Sequence, residues 1–247
     1  IQEAGPMLSL LMAPILLSHF ESRIIFYLLA LLSLPALYFA IKLPIENDKT
    51  RASANKWILH WPSTLNTLTF FSAIVIDGII VVVLGVLFLQ YRDDISLITT
   101  TTLAAFYLGY RRICLVILSP AGGWIADKIG LDRVFNLSML FVVIGLVIIV
   151  CGWIGTGAVI VFMFYSMNAA ITPGSATKTH SHSLAAVAEN ATWRDLGAAI
   201  GTLLGGVLIS SSYLNPVLIM TTFVLGFLLL IHIGTAQKAL KLLYSWK

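Results

Sequence analysis

Charge is scarce in this 247-residue chain. Only 11% of its residues are Asp, Glu, Lys or Arg, against about a quarter in a typical soluble domain, which excludes an ordinary water-soluble globule. Cysteine is scarcer still: Cys114 and Cys151 are the only two, both inside long apolar runs, so no disulfide or metal framework is implied. Catalytic signatures are missing as well. There is no His-Glu-x-x-His, no Gly-x-Ser-x-Gly and no phosphate-binding loop, so an enzymatic reading has nothing to rest on and no cofactor is called for. His180 and His182 are spaced like a metal pair, but no cysteine or carboxylate stands close by, and the pair reads as a solvated loop.

What the chain has in abundance is apolar surface, with 59% hydrophobic residues and a mean hydropathy of +0.95. Its apolar runs are continuous rather than alternating over about ten residues, so they predict membrane-spanning helices and not barrel strands. The expected fold class is an all-α polytopic membrane bundle. Eight runs can be drawn, at about 4–19, 23–43, 65–90, 97–122, 134–153, 157–172, 187–211 and 216–233. The run at 157–172 is only about 24 Å long at 1.5 Å per residue, marginal for a core of about 30 Å. It counts as a span because without it Lys178 and the C-terminal lysines would fall on opposite sides.

Between the second and third runs the composition changes abruptly. Residues 44–63 hold Glu46, Asp48, Lys49, Arg51 and Lys56, with Trp57 and Trp61 as interfacial anchors, and read as a linker between residues 1–43 and a domain at 64–247. The basic residues sort by side: Lys42, Lys49, Arg51, Lys56, Lys128, Arg133, Lys178, Lys238, Lys241 and Lys247 on one, Arg23 and Arg92 on the other. The first side is cytoplasmic by the positive-inside rule, as are the linker and the C-terminus. The glycosylation sequons at Asn136 and Asn190 lie on that side, where the modification does not occur. The net charge of +4 reflects these loops and calls for no nucleic acid.

One charged stretch between two apolar runs stands out, Gly122 to Arg133. Gly122 and Gly123 let a helix end approach a neighbour, and Gly130 permits the positive φ of a tight turn. Gly123, Asp127, Lys128, Gly130 and Arg133 resemble the cytoplasmic loop signature of the major facilitator superfamily, Gly-x-x-x-Asp-(Arg/Lys)-x-Gly-(Arg/Lys)-(Arg/Lys), with Leu131 and Asp132 departing from its basic tail. A second likeness is Thr192-Trp193-Arg194-Asp195-Leu196-Gly197-Ala198-Ala199-Ile200-Gly201 followed by Gly205-Gly206, similar to the eleventh span of many bacterial facilitators. Gly201 and Gly205 also have the spacing of a close-packed helix pair, which generic packing explains equally well. Gly5-Pro6-Met7-Leu8-Ser9 resembles the start of an antiporter motif whose final glycines are Ser9 and Leu10 here.

The resemblance implies the last two spans of an N-terminal bundle, a linker and a whole C-terminal six-helix bundle, the chain being the tail of a longer protein whose first four spans are missing. It implies a secondary transporter in a plasma or bacterial inner membrane, rocking about a midplane site, with a small-molecule substrate and a coupling proton as partners beside the lipid bilayer. It also implies that Asp127 holds an inner gate against the first span near Gly5. A receptor or scaffold that keeps the fold without transport is the alternative.

Charges inside the spans point to a cavity, because a charged side chain at bilayer depth costs about 2.5–3.5 kcal/mol on insertion scales. Asp77, Arg111, Arg112, Arg194 and Asp195 lie in spans that would be the family's seventh, eighth and eleventh. Asn66, Ala73 and Asp77 share one α-helical face, and Tyr165, Asn168 and Thr172 form a polar stripe; both are expected to line the cavity. Asn168 and Thr172 could equally bond a neighbouring helix. Arg111 and Arg112 point about 100° apart, so at most one faces the cavity squarely. Asp77, about 18 Å into its helix, is either an unpaired proton site or the partner of one of these arginines, as a substrate-sensitive pair or as a structural pin.

Overall fold

Helices form wherever the chain can be described. The computed structural model describes residues 62–91, 97–177, 183–209 and 213–244, together with Ile24, Tyr27 and Leu31, each helical and exposed. The chain divides into two units, Ile1–Trp61 and Pro62–Lys247. The second is described below. The first two expected spans, the linker through Trp61 and the expected contact of Asp127 with Gly5 lie outside the described residues.

Pro62 and Ser63 start the second unit as a helix-start signal should: the Ser63 hydroxyl accepts from the backbone N–H of Asn66 at 3.1 Å. Helix α1 (Thr64–Ser72) runs on through a π-helical stretch (Ala73–Ile80) into α2 (Val81–Tyr91) without a break. There follow α3 (Leu97–Ile129), α4 (Leu131–Val150), α5 (Ile154–Thr177), α6 (Ser183–Leu208) and α7 (Leu214–Tyr244). Among the described residues, five helical segments are long and apolar enough to cross a membrane: Thr64–Gln90, Thr102–Ile129, Leu131–Val150, Ile154–Thr177 and Leu214–Thr235. This is a membrane-embedded, all-helical protein. Helix α6 is not among the five; it carries Glu189, Arg194 and Asp195.

Two expectations are corrected here. The run expected to end at Gly122 continues as helix to Ile129, and α4 starts at Leu131, so the charged hairpin is a turn of one residue, Gly130. Nothing between Gly122 and Ile129 forces a stop, and Ala126 is packed in the core. The marginal run at 157–172 belongs to α5, whose 24 residues continue through Pro173 and reach about 36 Å.

The core lies where the first helical segment meets its neighbours. Leu68, Ile76, Ile79, Ile80 and Leu84 on it are fully buried, as are Phe162 on α5 and Leu146 on α4. Helix α3 is the opposite case. Phe106, Ile117 and Trp124 are 68%, 61% and 61% exposed, which in water would be a large unmet cost and against hydrocarbon is none.

Gly130 has φ 107° and ψ 132°, a conformation closed to side-chain-bearing residues, while its N–H still donates to Ala126 O at 2.8 Å. Gly130→Ala is expected to destabilise the bundle by roughly 1–3 kcal/mol. Gly123→Ala should be neutral, since its new methyl would meet only Ala170 Cβ at 3.8 Å. Thermal unfolding of the two variants in detergent checks the contrast.

Candidate functional site

The site is built on the π-helical stretch. Gly197, Gly201 and Gly205 of α6 follow one another at intervals of four and present a side chain-free edge. Gly197 rests on the Phe70 carbonyl, Gly201 on the Ile74 carbonyl, and Gly205 against Val82 and Ile79. Gly78 returns the contact, packing on the backbone of Gly201 and Thr202. The expected Gly201–Gly205 seam is thus present and one glycine longer. It holds the residue before Gly78, Asp77, turned toward α3 and α5.

Three helices meet at Asp77. Its Oδ1 accepts from Arg111 Nη2 of α3, and its Oδ2 accepts from the Tyr165 hydroxyl of α5 at 2.7 Å. The Arg111 and Asp77 side chains are 14% and 17% exposed, so the ion pair is largely withdrawn from solvent without being sealed. Phe162, one turn before Tyr165, lies under the Arg111 guanidinium with its ring centre 5.8 Å from Cζ. Between Arg111 and Arg112, the structure therefore places Arg111 on Asp77. Arg112 is half-buried and has interactions of its own.

Arg194 and Asp195 are neighbours on α6 that bond each other, Arg194 Nη2 to Asp195 Oδ1 at 3.3 Å, with side chains 49% and 71% exposed. Arg194 lies near enough to act electrostatically on the Tyr165 phenol.

The two polar stripes do not each form one surface. Asn66 faces α6, donating to Glu189 Oε1 at 2.9 Å and accepting from Asn190 Nδ2 at 2.9 Å, while Asn190 also reaches Thr69 Oγ1 at 3.3 Å. Ala73 is fully buried against Gly197. The eleven-residue return that would align Asn66 with Asp77 holds only for a regular α-helix, and the π-helical stretch turns less per residue because its hydrogen bonds span five residues instead of four. On α5, Tyr165 faces Asp77, but Asn168 faces α4, accepting from Ser138 Oγ at 2.5 Å, and Thr172 bonds back to the Asn168 carbonyl at 2.7 Å. Asn168 is the helix-bonding residue of the two readings its sequence left open. Its Nδ2 and the Ser175 hydroxyl are buried without a partner among the described residues.

Glu189 was not singled out in the sequence, and Asn190 was read only as a glycosylation sequon. The signal was an acidic residue inside the apolar run at 187–211.

The charged turn is far from this cluster, sixteen residues or about 24 Å along α3 from Arg111. Asp127, Lys128 and Arg133 are exposed there, with Lys128 Nζ 3.6 Å above the Trp124 ring. The close approach to a neighbouring helix is made by Gly122, where a methyl would lie 2.8 Å from Met167 O, and not by Gly123. Toward the opposite end, Phe88 and Tyr107 pack with ring centres 5.4 Å apart and help line a cavity of about 500 Å³ with Leu103, Cys151, Trp153 and Thr156. Tyr107 stands one turn from Arg111 on α3, and Asp77, Arg111 and Tyr165 are not among the residues lining this cavity.

No group of three or more His, Cys, Asp or Glu residues able to hold a metal occurs among the described residues, and His180 and His182 lie outside them. Comparison with models of protein families, with curated proteins and with solved structures finds no match to this chain.

Proposed function

We propose that residues 64–247 form one six-helix bundle of a major-facilitator-type secondary transporter, moving a small solute by alternating access and coupling it to protons at Asp77. The observation that carries this reading is the meeting of Asp77, Arg111 and Tyr165 from three helices at mid-depth of the bundle. Charged groups at that depth are costly, and in transporters they mark the substrate or ion path. The exposed Arg194–Asp195 pair beside them supports a wet surface there, because charges turned toward hydrocarbon would be unpaid for. The loop signature between α3 and α4 supports the family, and the positive-inside rule puts that turn in the cytoplasm of a cell-membrane protein.

The test is solute flux in proteoliposomes with an imposed pH gradient. Wild type should show uptake or efflux driven by the gradient, and Asp77→Asn should abolish coupled movement while still inserting. Unchanged coupling in a folded Asp77→Asn variant removes Asp77 from the mechanism. Flux of nothing across a broad solute panel favours the receptor or scaffold.

A further inference from the structure

The cavity beside Tyr107 has the dimensions and the walls of a ligand site. Its volume of about 500 Å³ lies within the range of small-molecule pockets, about 300–1,000 Å³. Three elements bring aromatic rings to it: Phe88 from α2, Tyr107 from α3 and Trp153 from the turn between α4 and α5. The Tyr107 ring is fixed from two sides. Phe88 lies 5.4 Å from it with the ring planes 30° apart, and Phe106 meets it edge-on at 5.8 Å. Trp153 is 71% exposed, so its ring has a face to offer.

The polar groups of this cavity carry no charge. The Cys151 thiol and the Thr156 hydroxyl belong to its wall, and among the described residues that line it there is no Asp, Glu, Lys, Arg or His. The Tyr107 hydroxyl reaches the first turn of α5, where a methyl at Gly155 would lie 2.5 Å from it, so the glycine keeps its place open. That hydroxyl has no hydrogen-bond partner among the described residues. Rings on several sides and an unused phenol donor suit a flat aromatic that carries an acceptor. An ion entering from water would lose its hydration against walls that offer no side-chain counter-charge.

We propose that this cavity binds a small uncharged aromatic compound, its ring against Trp153 and Tyr107 and its acceptor, a carbonyl or a ring nitrogen, on the Tyr107 hydroxyl. The site is separate from the Asp77 cluster and does not depend on the transport reading. Cys151 reports on its occupancy, because its exposed thiol lines the cavity while the other cysteine, Cys114, is buried.

The rate at which N-ethylmaleimide alkylates Cys151, read by peptide mapping of the purified chain in nanodiscs, should fall saturably as coumarin is added. Naphthalene, of the same shape without an acceptor, should require a concentration about fivefold higher for the same protection, as should the ions 1-naphthoate and 1-naphthylmethylammonium. Tyr107→Phe should weaken coumarin about fivefold and leave naphthalene unchanged, since it removes the donor and keeps the ring. Trp153→Ala should weaken both about tenfold by removing a stacking face. A Cys151 that does not react or is not protected, protection by naphthalene or either ion equal to that by coumarin, or unchanged coumarin protection in folded Tyr107→Phe would each overturn the proposal. If Tyr107→Phe does not fold, Trp153→Ala decides, its position being exposed and its unchanged protection counting against the site.

Discussion

Gly201→Val is expected to prevent the second unit from assembling. A Cβ at Gly201 would fall onto the Ile74 carbonyl oxygen and within 2.8 Å of Ile74 Cα, all of it backbone in the middle of a fully buried segment. A flexible side chain could move aside; a helix backbone held by its own hydrogen bonds cannot. The cost should therefore exceed the usual 1–3 kcal/mol or so of overpacking. The internal control is Gly206→Val, five residues further along the same helix, where an added Cβ meets nothing within 4 Å. Size-exclusion profiles of the two variants in mild detergent check the pair. A monodisperse, normally folded Gly201→Val protein would mean that α6 does not press on the π-helical stretch as described.

Removal of Arg111 is the second large effect. Arg111→Met leaves Asp77 as a mostly buried carboxylate with only the Tyr165 hydroxyl as donor, and breaking such a pair from one side costs about 3–5 kcal/mol. Adding Asp77→Asn removes the stranded charge, so the double variant should regain most of the loss, because a neutral replacement of both members is often near neutral. Unfolding by SDS titration measures the cycle, and the coupling should be well above the 0.5 kcal/mol or so at which independent sites still look additive. Restored stability should not restore coupled transport. If Arg111→Met alone costs less than about 1 kcal/mol, the pair is a solvated surface contact and the site loses its core.

Much of this arrangement could be read from the residues, and the failures have specific causes. The helical segments were legible because charged stretches and the linker's end at Pro62 separate the apolar runs, and composition alone put them in a membrane. Depth was legible too. Counting along two antiparallel runs put Asp77 and Arg111 several ångströms apart in depth, a gap that a long arginine side chain can span, and left a paired and an unpaired Asp77 both open. Rotation was not. The choice of Arg111 over Arg112 depends on how α3 is turned against its neighbours, and two adjacent residues differ by about 100° at equal depth. The π-helical stretch left no trace in the hydrophobic pattern, since Asp77 is the one polar side chain in Ala73–Ile80 and a single polar residue sets no phase by which a change of register could be seen. That is why Asn66 was grouped with Asp77 when it belongs with Glu189 and Asn190. Helix α3 was expected to end early at the Gly122-Gly123 pair, yet in the packed bundle Gly122 is a mid-helix contact on Met167 and Gly123 is not tightly packed.

The one-residue turn at Gly130 bears on how the protein is made. Helix α3 has 33 residues and α4 has 20, and between them there is no loop to lie free while one waits for the other. When α4 emerges it has no slack and can settle only by turning straight back beside α3. The helix that follows in the chain, α5, supplies Tyr165 to the Asp77–Arg111 pair.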